Sequence, residues 1–534
     1  MPAARGAGRG SGKEGVTVED LMIRRSTLGC IWLVAMLGVI VRGQGLGAGR
    51  GAPRPAYIPE GYDDHQNMMD QLGIKTLRPG KSGQNQTGKG FDEATANDWM
   101  PSMPYLMTMK DGTKVTTPQQ WEKRRAELVE DFEREVYGRI PANAPKVTWQ
   151  VMNISEGQSG GIATITKTLA GHVDNSGFPQ IAVNIQASFT VPANATAPVP
   201  VMIEFGGNFG GGGFAGDGRA AARGAASGPA TAPARSAGRA GARGAGGLVA
   251  GPSWTQQAIS HGWGYGYINP GSIQADAGGF ALRQGIIGLT NVGVPRKPDD
   301  WGALRAWQWG VSRLVDYFEQ NPDSNVNPKA VGIEGVSRYG KAALVTEAFD
   351  PRIAVALVAS SGEGGAKLHR RDFGEAVENL TGGGEYHWMA GNFLKYGAWE
   401  ATFGSKNASD LPVDSHELIA LCAPRPCFIS YGIPQPQNGS PIGDPAWVDA
   451  HGSFMAAVLA GPAYRVLGKK DLGIPEELYL TAPMPQIQQL LGGELAWRQH
   501  EGGHEATPQW PTFFEWVGHY IQAHPLPPQK PAAN

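Results

Sequence analysis

The stretch Gly335-Val336-Ser337-Arg338-Tyr339-Gly340-Lys341 decides the fold. Ahead of it stands Ala330-Val331-Gly332-Ile333, apolar and strand-like, ending at Glu334; behind it stands Ala342-Ala343-Leu344-Val345, good helix material. Strand, glycine-flanked serine and helix, in that order, describe a nucleophile elbow whose second glycine is displaced by one residue from the G-x-S-x-G pattern. Gly335 and Gly340 fall where a side chain would block the sharp turn. Such a turn holds the Ser337 hydroxyl above the strand end and sets the next backbone N–H at a helix N-terminus, where an oxyanion is stabilised. The competing reading is a glycine-rich turn carrying a solvated serine.

Working outward, Val199 to Phe205, Trp263 to Ile268, Val355 to Ala359, Pro426 to Tyr431 and Ala496 to Arg498 read as strands, the apolar runs among them as buried ones. Residues 147–168 and 180–191 alternate Val, Ile and Thr as antiparallel strands do. Helices are predicted from Pro118 through Tyr137, from Asp300 through Phe318 and from Phe513 to Ala523; the second offers Trp301, Leu304, Trp307, Trp309, Leu314 and Tyr317 to a core. Apolar strands alternating with helices predict an α/β three-layer sandwich, a mostly parallel sheet with helices on both faces, of the α/β-hydrolase kind. No internal repeat is evident.

The chain has 534 residues, a formal net charge of −2, 41% hydrophobic residues and 15 Trp. That is enough to bury a large core, and it carries no basic footprint for nucleic acid or an anionic membrane. Arg24-Arg25, the apolar run Leu28 to Val41 and Gly43-Gln44-Gly45 form an export signal, with Met22 as a natural start. Leu28-Gly29-Cys30 lies before the apolar run, where a lipoprotein cleavage site cannot work. The expected layout is an N-terminal extension and signal peptide (1–44), a Gly/Pro-rich, loosely packed arm (45–94), a catalytic domain (95–525) and a tail (526–534). Within the domain, residues 210–247 are almost entirely Gly, Ala, Arg, Pro and Ser and read as a disordered insertion. The expected product is a secreted or periplasmic monomer with no integral membrane segment after cleavage. Cys422 and Cys427 read as buried apolar residues kept apart by an extended Ala423-Pro424-Arg425-Pro426, with no metal complement nearby.

Ser337 needs a base. His504, in Glu501-Gly502-Gly503-His504-Glu505, follows the last strand, where α/β-hydrolases place it, and the glycines let its imidazole reach back. His500 is the nearest rival. For the carboxylate that orients the histidine, Asp444 is the first choice, Glu363 the second and Asp449 the third. Arg338 and Lys341 put two cations beside the serine, suiting an oxyanion and a hydroxyl or carboxylate of the substrate. His504, the candidate acids and Lys341 each have a plainer reading as a solvated residue. No metal-ligand spacing such as H-E-x-x-H occurs, so no cofactor and no metal are expected.

The elbow resembles the G-C-S-R-x-G-K motif of the glucuronoyl esterases, carbohydrate esterases of the α/β-hydrolase superfamily. The likeness runs from about residue 95 to 522 and includes Asp299-Asp300-Trp301-Gly302-Ala303, Ser361-Gly362-Glu363-Gly364-Gly365, Gly384-Glu385-Tyr386-His387-Trp388, Ala423-Pro424-Arg425-Pro426 and Gly503-His504. It implies cleavage of esters between 4-O-methyl-glucuronic acid on xylan and lignin alcohols, with glucuronoxylan or another uronate ester as partner. It further implies Ser337 as nucleophile, His504 as base, Arg338 at the oxyanion, and Lys341, Glu385 and Trp447 on the sugar. Two departures stand out. Val336 replaces the motif cysteine, so the disulfide of fungal members is absent, and Ser360 replaces the acid many members carry there. Asp444 with Trp447 resembles the later acid of some bacterial members. The rival functions are an esterase of simple acyl or methyl esters and a non-catalytic carbohydrate-binding pseudo-hydrolase.

Overall fold

The computed structural model describes residues 54–83, 89–207, 251–433 and 444–527. The segments read as export signal (1–44), as insertion (210–247) and most of the tail lie outside the described residues, as does the Asp444 side chain.

Twelve strands occur among the described residues: β1 (Ile74–Leu77), β2 (Val147–Ser159), β3 (Ile162–Val173), β4 (Asn184–Pro192), β5 (Val199–Phe205), β6 (Gly264–Ile268), β7 (Val326–Val336), β8 (Ile353–Ala359), β9 (Ala398–Ala401), β10 (Cys427–Ile433), β11 (Leu490–Gly492) and β12 (Leu495–Glu501). Ten form one sheet in the order β11-β12-β10-β8-β7-β5-β6-β4-β3-β2. The six strands from β12 to β6 in that order run parallel. Antiparallel β4, β3 and β2 extend one edge, and β11 closes the other.

The parallel strands are apolar on both faces because both faces are covered. Along β8, Ala356 and Val358 join one core cluster while Val355, Leu357 and Ala359 join the other. In β5, Val201, Ile203 and Phe205 face one way and Met202 the other. The first layer holds helix Ala303–Gln320, which starts three residues later than predicted and buries Leu304, Trp307, Trp309, Leu314 and Tyr317, with Trp301 buried just ahead of it, and helix Arg338–Phe349. The second holds Trp254–Ser260 and Trp510–Val517, where Trp254 stacks on Trp510 at 4.7 Å. The molecule is an α/β-hydrolase in architecture, as the strand and helix pattern predicts.

Three local readings are corrected. The arm is not loosely packed over its described part: Asp64–Leu72 is a helix whose N-cap, Asp63, accepts from the His65 and Gln66 N–H groups, and it buries Met68 and Met69. After it, β1 pairs with β9. Its polar sequence, Asp-His-Gln-Asn-Met-Met-Asp-Gln-Leu, hides the helix because two methionines carry its burial. The closing helix begins at Trp510 rather than Phe513 and ends at Val517, before Gly518. Cys422 and Cys427 are buried as expected but not held apart. The Arg425 N–H donates to the Cys422 carbonyl at 3.0 Å and folds the segment back, and each sulfur comes within 4.8 Å of the other and of a Glu347 carboxylate oxygen.

Candidate active site

Parallel strands end on one edge of a sheet, and the loops that leave that edge build the site. Ser337 follows β7, Asp276 lies in the loop after β6, Ser360 follows β8, Trp447 lies beyond β10 and His504 follows β12.

Ser337 sits at φ 61° and ψ −130°, a conformation that costs about 1–3 kcal/mol for a non-glycine residue and persists because its surroundings impose it. Its N–H donates to Ala359 O of β8 at 3.0 Å, and its carbonyl accepts from Lys341 N, the start of helix Arg338–Phe349. The flanking glycines are required by contact. A Cβ at Gly335 would lie 2.2 Å from Tyr339 O, and one at Gly340 would lie 2.5 Å from Ala359 O. The seven residues therefore form the elbow that their pattern predicts.

Arg338 leaves the same turn and pairs through Nε with Asp276 Oδ2 at 2.5 Å. The other Asp276 oxygen accepts from Trp388 Nε1 at 2.7 Å and meets His387 Nε2 at 3.0 Å. Burial alone would raise the Asp276 carboxyl, but His387 and Arg338 outweigh it and hold it below the usual carboxylate range.

Lys341, one turn into the helix, is buried rather than solvated. Its Nζ donates to Ser361 O at 2.6 Å and Glu375 Oε2 at 2.8 Å, and lies 5.6 Å from the Trp388 ring centre. Glu385 stands beside this pair with Oε2 buried and without a hydrogen-bond partner. Burial, then the Glu375 charge, push its carboxyl up to about 8, so it is neutral at pH 7. Trp447 packs on the arm, where a Cβ at Gly83 would come within 3.2 Å of its ring, and its carbonyl accepts from Glu375 N at 2.7 Å.

The histidine loop is docked onto the end of β10: Ile433 bridges Gly502, and Gly432 lies so close to Gly503 that a Cβ there would come 2.0 Å from its carbonyl. His504 is half-buried on that loop. His500 is fully buried within β12, with Nε2 3.0 Å from Glu505 O. Asp444 begins a short helix, Asp444–Trp447, in the loop after β10. Glu363 is fully buried with its two oxygens on Lys367 Nζ, at 2.8 Å, and His369 Nδ1. Burial raises its carboxyl, but Lys367 and His369 outweigh that and hold it low. Asp449 caps helix Ala450–Val466 through the Gly452 N–H and pairs with Arg371 at 2.9 Å.

Sequence reasoning missed Asp276 and Glu375. Both come from loops after parallel strands, a position shared by many other acids, so no local pattern singled them out. Among the described residues the Glu347–Cys422–Cys427 group is the one gathering of possible metal ligands, and it belongs to the core.

The fold and the elbow define an α/β-hydrolase. Residues 296–444 match the family model described as "Glucuronyl esterase, fungi". A CE15 glucuronoyl esterase of known structure from Teredinibacter turnerae T7901 superposes with a TM-score of 0.69 at 34% identity, over 85% of this chain and 98% of that one. Carbohydrate esterase MZ0003 from an unknown prokaryotic organism is 29% identical over 81% of this chain and 92% of its own. A 4-O-methyl-glucuronoyl methylesterase of Schizophyllum commune is 37% identical over 31% of this chain and 39% of its own. The chain belongs to the glucuronoyl esterase family and is a carboxylic ester hydrolase.

Proposed function

We propose that the chain hydrolyses 4-O-methyl-glucuronate esters through an acyl-enzyme on Ser337. The observation that carries this reading is the elbow: a strained serine at a helix N-terminus, with Arg338 beside it and, one helical turn on, Lys341 paired with Glu375 and close to Glu385. A glucuronate ester offers what this set binds, an ester carbonyl flanked by ring hydroxyls. The printed names of the relatives support the same substrate class.

In the proposed mechanism the Ser337 Oγ attacks the ester carbonyl as His504 takes its proton. Asp444 orients the imidazole and stabilises its charged form. The buried engagement of Glu363 with Lys367 and His369, and of Asp449 with Arg371, favours Asp444 for this task. Arg338 and the backbone N–H after the serine face the developing oxyanion. The tetrahedral intermediate collapses, His504 returns the proton to the departing alcohol, and water repeats the sequence to release the uronate. Lys341, Glu385 and Trp447 hold the sugar; the unpartnered Glu385 oxygen supports this placement.

Residues 24–41 serve as the export signal of a secreted or periplasmic monomer in this reading, and residues 95–525 as its catalytic domain. Among the described residues no helix is long and apolar enough to cross a membrane.

The test sets benzyl glucuronate beside a simple acetate ester. Turnover of the uronate well above that of the acetate is expected, and the reverse order sinks the substrate assignment. Ser337→Ala, which removes a hydroxyl and little packing, is expected to lower kcat about 10⁴-fold or more while the protein stays folded.

A further inference from the structure

Asp276 is an acid that none of the roles above uses, and it is built into place. Two residues before it, Gln274 is fully buried, donates to Ala281 O at 3.0 Å and accepts from Ile287 N at 3.1 Å. The Gln274 carbonyl takes the Trp307 indole N–H at 2.8 Å. Beyond Asp276, the Gly279 N–H donates to Tyr386 Oη at 2.8 Å. The loop is thus pinned to helix Ala303–Gln320 on one side and to the Tyr386–Trp388 turn on the other.

From that fixed base the carboxylate takes three groups at once: Arg338 through Nε, the Trp388 indole and the His387 imidazole. An arginine side chain loses rotamer freedom when it is held, and a guanidinium held in advance spares the reaction that cost. The ion pair at Nε holds one edge of the guanidinium, and the Tyr339 ring, whose centre lies 4.9 Å from Arg338 Cζ, restricts its face. The same carboxylate ties Arg338 to the Tyr386–Trp388 turn, which Glu385 immediately precedes.

We infer that Asp276 is a positioning residue that acts through Arg338, holding its guanidinium in the place where the oxyanion develops. The inference rests on the proposed oxyanion role of Arg338.

The experiment is a cycle of Asp276→Asn, Arg338→Ala and the double variant, each read as kcat and KM on benzyl glucuronate. Asparagine keeps an acceptor for Trp388 and removes the charge that grips Arg338. Because loss of an oxyanion donor costs roughly 10²- to 10³-fold in kcat, loosening one is expected to cost about 30-fold, with KM changed less than about 3-fold. In the Arg338→Ala background the same change is expected to cost less than about 3-fold. If Asp276→Asn does not fold, Asp276→Ser, which also removes the charge and keeps an acceptor, takes its place in the cycle. A full additive loss in the double variant overturns the inference and leaves the role of Arg338 standing. Near-wild-type kcat for Arg338→Ala overturns that role and the inference with it.

Discussion

At the scale of single residues, two buried carboxyl groups with different neighbours, Glu363 and Glu385, occupy opposite protonation states. Glu363 is held charged by Lys367 and His369, while Glu385, deprived of water and close to Glu375, is neutral at pH 7. The first difference predicts how two acids respond to removal. Asp444→Asn is expected to lower kcat by about 10²-fold or more with the fold intact, as loss of the orienting carboxylate does. Glu363→Gln is expected to spare turnover and cost stability instead, about 3–5 kcal/mol, because it leaves Lys367 buried and unpaired. Kinetics and urea unfolding of both variants check this, and a turnover loss larger for Glu363→Gln would reverse the assignment. The second difference predicts a pH dependence. As pH rises through 8, Glu385 gains a negative charge, so the anionic product glucuronate should be repelled. Its inhibition constant is expected to rise several-fold between pH 7 and 9, and in Glu385→Gln to stay level over the same range. An equal rise in both would place the titration elsewhere.

At the scale of elements, the elbow shows how little freedom the turn retains. Gly335 lies 2.2 Å from a backbone carbonyl once a Cβ is added, and that carbonyl belongs to the helix carrying Arg338. Gly335→Ala therefore has to push helix and strand apart. We expect kcat to fall by more than about 10²-fold and Tm to drop, and wild-type activity in that variant would show that the turn has slack. The same steric demand made the elbow legible: only glycines fit beside the serine, and strand and helix formers flank it. Buried strands were legible for a related reason, since runs such as Ile353–Ala359 have two apolar faces to bury. The helix Asp64–Leu72 was not, because a capped polar segment held by two methionines has no long periodicity. Asp276 and Glu375 were illegible as site residues because tertiary folding, rather than any local pattern, brings them to Arg338 and Lys341.

At the scale of the whole molecule, stability carries an imprint of the sheet under the nucleophile. Glu204 on β5 and Glu334 on β7 are direct neighbours in the parallel ladder. Burial raises Glu204 to about 7; burial, and then the Glu204 charge, raise Glu334 well above the ordinary carboxylate range. The folded state thus binds these protons more tightly than the unfolded chain, where carboxyls titrate near 4.5. Between about pH 4.5 and 7 the folded protein holds more protons than the unfolded one, so the pair's contribution to stability falls as pH rises. For Glu204 alone the loss approaches about 3 kcal/mol once pH exceeds 7. Acids held low, such as Asp350 and Asp414, act in the opposite sense, losing their contribution as pH falls, so the pair has to be read by difference. Glutamine is a neutral copy of the protonated acid. Glu204→Gln is therefore expected to match the wild type near pH 4.5 and to exceed it increasingly toward pH 8, in urea unfolding followed by tryptophan fluorescence. The pair also predicts that Glu204→Gln relieves Glu334 of its neighbour's charge, so the double variant with Glu334→Gln should gain less than the sum of the two single gains. A stability difference between Glu204→Gln and wild type that stays constant from pH 5 to 8 would mean that Glu204 is already charged in the folded protein.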